Sequence, residues 1–451
     1  MAKVKTTNTV AAYQAEITLN FYYRSMPNAT AENIEIEPSR IQYLMIDYKY
    51  ESVNILPVIY LSLKLPLDLH DKILDSYDIS NFYLKITKKN VLAANSVATP
   101  HVEDIFSYIC SNQEQNSAKN LNDDGQDDRS YVDTTIGLIS TNMINNLRKT
   151  YNAFYNGANA EQLIKEVALK DLGKKLIMSP LKYNNKVDTF IVPPTNSRFR
   201  LLERIFDKLP FYDTTFTFFM DFNQKVYFLD KTGTAVPDGK ISKIYIEITE
   251  LDNRESMMPG ITHKDSALYL KVNATQSKIT IDESMGQRAN QIVGYKYNEE
   301  NQNLTVTDQF MEQMTPKQEF IKTENAAAIK NDIINSSVCL SIYKQSIDPE
   351  YLTPNKEYII TQTSNYEKYN GTFILYYKQE LYIQNGAGEN TFNETCTAGF
   401  KRINAIEVAK AKKDTSISVR KRRNKKTSKK KSSADNKKAS KKSTRNDRKK
   451  K

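Results

Sequence analysis

Tryptophan is absent from this chain of 451 residues, and cysteine, histidine and glycine are scarce, at 3, 3 and 13. Each shortage closes off a class of function. Cys110, Cys339 and Cys396 are odd in number and far apart, which argues against a disulfide framework and fits folding in a reducing compartment. His70, His101 and His263 lie near neither one another nor a cysteine, so no sequence-local metal site is expected. They read as isolated surface or turn histidines. With few glycines there is no GxxxxGK[ST] or GxGxxG phosphate loop, and no GxSxG nucleophile elbow. Gly386-Ala-Gly388 reads as a β-turn. The most apolar run, Ile55 to Leu65, is broken by Pro57, Ser62 and Lys64 and falls short of the ~18 residues of a spanning helix. No signal-peptide core follows Met1. The expectation is a soluble, cytoplasmically made protein with no cofactor or metal, and not an enzyme. Asn120 to Gly125 copies the start of a calcium loop, but Tyr131 stands where the bidentate Glu belongs, so an acidic solvated loop is expected.

What the chain has is tyrosine (28), phenylalanine (18) and a divided charge. From Lys410 onward, 21 Lys/Arg stand against 3 Asp, a local charge of +18; with the whole chain at +11, residues 1–409 sum to −7. No aromatic follows Phe400. A segment so poor in apolar groups cannot offset its ordering entropy, so 410–451 is expected to be a disordered polybasic tail. Within it, Arg420, Lys421, Arg422, Arg423, Lys425, Lys426, Lys429, Lys430 and Lys431 could neutralise phosphates by counterion release or meet an acidic protein surface. The bland alternative is a solubilising tail. Without interleaved aromatics, base stacking and sequence readout are not expected.

Residues 1–409 exceed one compact core, and two to four domains are expected. Over 1–100 the apolar positions alternate with period two, as in Val53-Ile55-Pro57-Ile59-Leu61-Leu63-Leu65, Asn33 to Glu37 and Tyr83 to Lys89. The last of these is expected to end on an exposed basic edge. Near Pro100 the spacing changes. Val102, Ile105, Phe106 and Ile109 fall at helical intervals, and 132–156 and 160–178 also read as helices, the latter with Leu163, Ile164, Val167 and Leu172 on one side. Ser111 to Arg129 reads as a polar loop.

Ile191 to Asn196 is extended by its two prolines. A helix follows with Phe199, Leu202, Ile205, Phe206 and Leu209 on one face, then a hairpin of Phe216 to Phe222 and Val226 to Leu229 turning at Asn223-Gln224. From 241 to 411 short strands return: Ile241 to Thr249, Leu268 to Val272, Ile279 to Ile281, Val293 to Tyr297, Tyr358 to Ile360 and Phe373 to Tyr377. Their spacing indicates a barrel or sandwich. Thr217 to Tyr227 aligns without gaps to Thr372 to Tyr382, a faint echo compatible with duplication.

The order Phe190-Ile-Val-Pro-Pro, Leu201-Leu-Glu-Arg-Ile-Phe, Pro210-Phe-Tyr, Phe218-Phe-Met-Asp-Phe and Tyr227-Phe-Leu resembles the central hub proteins of phage baseplates. Tyr369-Asn-Gly-Thr-Phe and Ala398-Gly-Phe-Lys-Arg-Ile are similar to that family's closing strands. The residue patterns give an α+β, β-dominated fold with a helical insertion (101–180), an α+β middle region (181–255) and the tail; the large helical stretch and the lysine-rich tail depart from the family's pattern. The resemblance implies that the strand-rich stretches 1–100 and 256–409 are two similar β-barrel-like tube domains. It further implies a structural virion protein, a homotrimeric ring in the tail or baseplate that joins tail tube to central spike and meets neighbouring baseplate proteins. The rival reading is a nucleic-acid-associated protein with a β-rich body and a nonspecific polybasic arm.

Overall fold

The computed structural model describes residues 13–405 except 51–55, 79–80, 92–96, 113–130, 151, 171–172, 187–188, 193–196, 198–211, 213–215, 231–235, 237, 239–240, 250–261, 265–266, 282–291, 299–302, 307–318, 323–337, 344–350, 363–368 and 387–389. The polybasic tail with Arg420 to Lys431, the calcium-like loop at Asn120 to Gly125, and the helix expected over Phe199 to Leu209 lie outside the described residues. The chain divides into two units, 1–404 and 405–451.

The first strands are β1 (Tyr13–Tyr23), β2 (Glu32–Ile36), β3 (Ile41–Lys49), β4 (Val58–Pro66) and β5 (Phe82–Asn90), with helix α1 (Leu67–Leu74) after β4. Period-two alternation sends Ile59, Leu61, Leu63 and Leu65 inward, as it does Phe82, Leu84 and Ile86. Next come β6 (Thr99–Asn112), β7 (Tyr131–Ser140), α2 (Thr141–Arg148), β8 (Ala153–Asn156), α3 (Ala160–Leu169), β9 (Lys175–Met178), β10 (Thr189–Val192), β11 (Phe216–Met220) and β12 (Lys225–Asp230). The C-terminal half adds β13 (Lys243–Thr249), β14 (Thr262–Lys264), β15 (Ala267–Asn273), β16 (Ser277–Ile281), β17 (Ile292–Asn298), β18 (Asn303–Val306) and β19 (Glu319–Lys322). It ends with β20 (Val338–Tyr343), β21 (Glu357–Gln362), β22 (Gly371–Gln384) and β23 (Phe392–Ala405). No helix among the described residues is long and apolar enough to cross a membrane.

The helical insertion expected over 101–180 is corrected. Residues 102–110 belong to β6, a strand paired with β5 on one side and β7 on the other. The misreading comes from Ile105, an apolar residue on the outward face of a strand whose register with β5 is unbroken from Val102 to Phe106, and from Ile109, which falls at a register shift with β7. Val102 and Phe106 are buried while Ile105 is 42% exposed, which a helix face could not reconcile. The 132–156 stretch is β7, α2 and β8. Among the described residues of 160–178 only α3 is helical; Asn159 and Gln162 cap it reciprocally, and Leu163, Ile164 and Val167 are buried.

Fifteen strands form one sheet. Eight of them pair in a closed circuit, β22–β3–β4–β7–β6–β5–β1–β23 and back to β22. From β22 the sheet also extends through β21, β13 and β15 to β14, and from β23 through β20 to β16. The boundaries expected at 100 and 255 therefore fall inside one sheet, since β3 pairs with β22 and β1 with β23.

The long antiparallel partners β22 and β23 belong to both parts. β22 pairs with β21 through Gly371 to Phe373 and with β3 through Tyr377 to Ile383. Its buried positions are Gly371, Phe373 and Leu375, then Lys378, Glu380 and Tyr382, so the inward phase flips at Tyr376–Tyr377. Gly371 is required there: a Cβ would run into the backbone carbonyl of Asn404. The echo segment Thr372 to Tyr382 is thus one continuous strand, whereas Thr217 to Tyr227 is a hairpin; the two do not share a fold.

The β11–β12 hairpin turns at Asn223–Gln224 as expected, with Gln224 at φ 58°. It is buried on both faces. Phe219, Tyr227 and Leu229 join the main core, while Phe218, Met220, Val226 and Phe228 join a second core with α2 and α3. β9 pairs parallel to β12 beside it.

One pair of substitutions separates strand from helix at β6. Phe106→Ala is expected to cost about 3–5 kcal/mol, and Ile105→Thr to stay within about 0.5 kcal/mol. Denaturant midpoints of the two variants check this; comparable losses would restore the helical assignment.

Candidate functional site: a cavity over a buried ion network

Alternation carries the inward face of β5 from Leu84 and Ile86 to Lys88, which is 4% exposed. The exposed basic edge expected there is corrected: Lys88 points into the circuit. The switched phase of β22 sends Lys378 and Glu380 inward as well, and β23 contributes Glu394. Lys88 Nζ lies 2.8 Å from Glu394 Oε1 and 3.4 Å from Glu380 Oε2. Lys378 Nζ lies 3.0 Å from Glu380 Oε1. Tyr382 donates its hydroxyl to Glu380 Oε2 at 2.9 Å, and the Lys378 ammonium sits 4.1 Å from the centre of the Tyr48 ring.

His101 completes the group, with Nε2 2.7 Å from Glu380 Oε2. Its inward direction comes from the bulge. Ile86 pairs with Val102 and Thr87 with Pro100, leaving His101 as the extra residue opposite no partner. The isolated-histidine reading is therefore corrected for His101, and also for His70, which is 7% exposed on α1. His263 falls in β14.

Charges in this interior hold one another ionised. Burial alone would raise the Glu380 carboxyl, but Lys88, His101 and Lys378 outweigh it and keep it well below the usual carboxylate range. Burial alone would lower Lys88, and Glu380 and Glu394 outweigh that to raise it. Lys378 is raised against burial in the same way, with Glu380 the leading cause. His101 is lowered, first by burial and then by Lys88, so it is neutral near pH 7 and donates from Nε2 to Glu380. Two lysines and two glutamates then balance.

A cavity of about 380 Å³ opens above this network. His101 and Lys378 form part of its lining, together with Tyr48, Tyr50, Thr99, Pro100 and Thr353. The hairpin turn supplies Asp221, Phe222, Asn223, Lys225 and Tyr227. Asp221 accepts from the Lys225 backbone N–H at 2.9 Å and from Tyr227 OH at 3.2 Å, and burial raises its carboxyl. Lys225 and Lys175 both pair with Asp238. Lysines at the cavity thus have carboxylate partners of their own, which disfavours capture of a free anion. Among the described residues, no group of three or more His, Cys, Asp or Glu is placed to hold a metal.

The sequence reading missed this site because each member looked like surface. One signal was available: Lys88 and Glu380 continue inward alternations begun or shared by Leu84, Ile86 and Tyr382. His101 gave none, since a bulge aims it. The residues named from sequence as an interaction site, Arg420 to Lys431, lie outside the described residues.

No family model matches the chain, and no curated protein does. Solved structures are similar to it. A tail protein from Neisseria meningitidis MC58 aligns with TM-score 0.45 and 8% identity over 86% of this chain and 96% of that one. The 43 kDa tail protein of prophage MuSo2 from Shewanella oneidensis aligns with TM-score 0.44 and 9% identity, over 86% and 97%. The E. coli c3393 protein, a type VI secretion component with structural similarity to the phage T4 tail proteins gp27 and gp5, aligns with TM-score 0.35 and 8% identity, over 80% and 73%.

The pKa directions fix a pH dependence. A histidine held below its usual 6.5 leaves the unfolded chain binding the proton first, so stability falls as pH drops below about 6.5. Glu380, held below 4.5, adds a second loss under about pH 4.5, muted by Asp221, whose shift has the opposite sign. Lys88 and Lys378, raised above 10.5, keep their contribution up to that pH and lose it beyond. Thermal midpoints measured from pH 8 to 4 are expected to fall in two steps, and His101→Gln to abolish the upper one.

Proposed function

We propose that the chain is a structural tail component, a baseplate hub that works by assembly and performs no catalysis. Three copies form a ring that joins the tail tube to the central spike and contacts neighbouring baseplate proteins. It is made in the host cytoplasm and acts in the virion tail. The observation that carries this reading is the β22–β23 ribbon, in which each strand pairs at one end in the eight-strand circuit and at the other in an extension of the sheet. One chain thereby presents two joined sheet systems, the form a subunit needs to offer two similar surfaces to a ring of higher apparent symmetry.

Other features support it. The motif order from Phe190 to Leu229 resembles hub proteins in sequence. β14 and β16 close the sheet path with one partner each among the described residues, leaving backbone groups for another chain. Phe154 and Ile191 face each other across β8–β10 at 66% and 64% exposure, an apolar pair of the kind buried in assemblies.

The +18 tail favours a second reading, a β-rich body with a nonspecific nucleic-acid arm. Two measurements decide between them. Native mass of the purified chain, alone and with its neighbours, is expected at three times the chain mass, and a persistent monomer overturns the hub. Truncation after Ala411 is expected to leave assembly intact and to abolish salt-sensitive nucleic-acid binding. Binding that survives truncation moves the nucleic-acid site into the body and favours the second reading.

A further inference from the structure

Among the described residues, the β1–β23 link of the eight-strand circuit is short. β1 and β5 are matched over nine residue pairs, β4 and β7 over eight, and β22 and β3 over seven. Among the described residues, β1 and β23 are matched over two, Gln14 with Asn393 and Ala15 with Phe392. The link is short because β2 occupies the same edge of β1 from Leu19 to Tyr23. Among the described residues, backbone pairing is therefore sparse at this seam.

Side chains span it from inside. Lys88 of β5 is the register partner of Ala15, and Ala15 is the partner of Phe392, so the three form a row across the seam. Glu394 lies two residues beyond Phe392, on the same inward face. Lys88 reaches past β1 to place Nζ 2.8 Å from Glu394 Oε1. Ala15, fully buried and carrying one methyl, leaves room for that crossing; a larger side chain would stand in its way. The second contact, from Lys88 to Glu380, ties the same ammonium to β22. Glu380 is in turn held by His101 of β6 and Lys378.

We infer that the Lys88–Glu394 pair is a clasp that closes the circuit over the β1–β23 seam, and that the circuit opens at this seam when the clasp is unpaired. A buried pair of this kind is costly to break one-sidedly and nearly neutral to replace as a pair, so its role lies in which strands meet more than in how tightly the core holds.

Amide hydrogen exchange of the full chain tests this. In Lys88→Met, exchange is expected to rise about tenfold or more at residues 13–18 and 392–396, with the β3–β4 and β4–β7 ladders unchanged. Lys88→Met/Glu394→Met is expected to recover most of that protection, because neither charge is left stranded. A uniform loss around the circuit would overturn the clasp in favour of ordinary core damage, and unchanged seam protection would overturn it outright. Should Lys88→Met fail to fold, Gln14→Cys/Asn393→Cys is added to it. These register partners lie on the opposite face of the seam, and oxidation is expected to restore the folded state. Failure of the cross-link to rescue would also overturn the seam as the opening point.

Discussion

Everything else in this molecule depends on two strands serving two parts of one sheet. A strand has only two faces, and they alternate with a period of two. For β22 to bury Phe373 and Leu375 beside β21, and then to bury a second set beside β3, its phase must slip by one residue. The slip falls at Tyr376–Tyr377. Its consequence is chemical: the residues it turns inward are Lys378, Glu380 and Tyr382, so a change of sheet places charge inside the circuit. The remaining members of the ion network answer that placement. Lys88, His101 and Glu394 come from three other strands and leave the interior neutral once His101 is counted as uncharged.

Burying five polar groups is not an economical way to make a core stable. Apolar residues of the same volume would hold a sheet at least as firmly, because desolvating each ion costs several kcal/mol before any pairing is regained. What the ions supply is selectivity of pairing. Leucine meets any apolar partner, whereas a buried lysine tolerates only the registers that bring a carboxylate within reach. The network draws on β5, β6, β22 and β23, four strands separated by as many as 306 positions in sequence. A closure built from such distant segments has many near-miss registers, and each would strand a charge.

How far this was legible from sequence follows from the same physics. The regular alternations of β4, β5, β13, β15 and β21 were readable because nothing disturbs their phase. The hairpin at Asn223–Gln224 was readable because its apolar residues crowd one short segment on either side of a turn. β6 was misread because Ile105 is apolar yet faces outward and Ile109 falls at a register shift, so that with the buried Val102 and Phe106 they mimic a helix. The ion network was invisible for a different reason. Charge in sequence signals exposure, and only the partners' positions in space reverse that inference. Lys88 followed Leu84 and Ile86 in perfect alternation, yet its burial depends on Glu394, more than three hundred residues away.

The β11–β12 hairpin shows what it takes to join the helical elements to such a sheet. An ordinary hairpin buries one face and hydrates the other. Here Phe219 and Tyr227 enter the main core while Phe218 and Phe228 enter the second, so the hairpin forms a shared wall between the two. Apolar residues on both phases in one segment are what such a wall demands, and the run Phe216-Thr-Phe-Phe-Met meets that demand. Its turn is the exception, polar at Asp221, Asn223 and Lys225, and these residues line the cavity over His101 and Lys378. The wall therefore ends where the ion network begins. Between turn and network stand aromatic rings: Phe222 of the turn packs edge-on against Tyr48, and the Tyr48 ring in turn carries the Lys378 ammonium, so hairpin and network meet through side chains in contact.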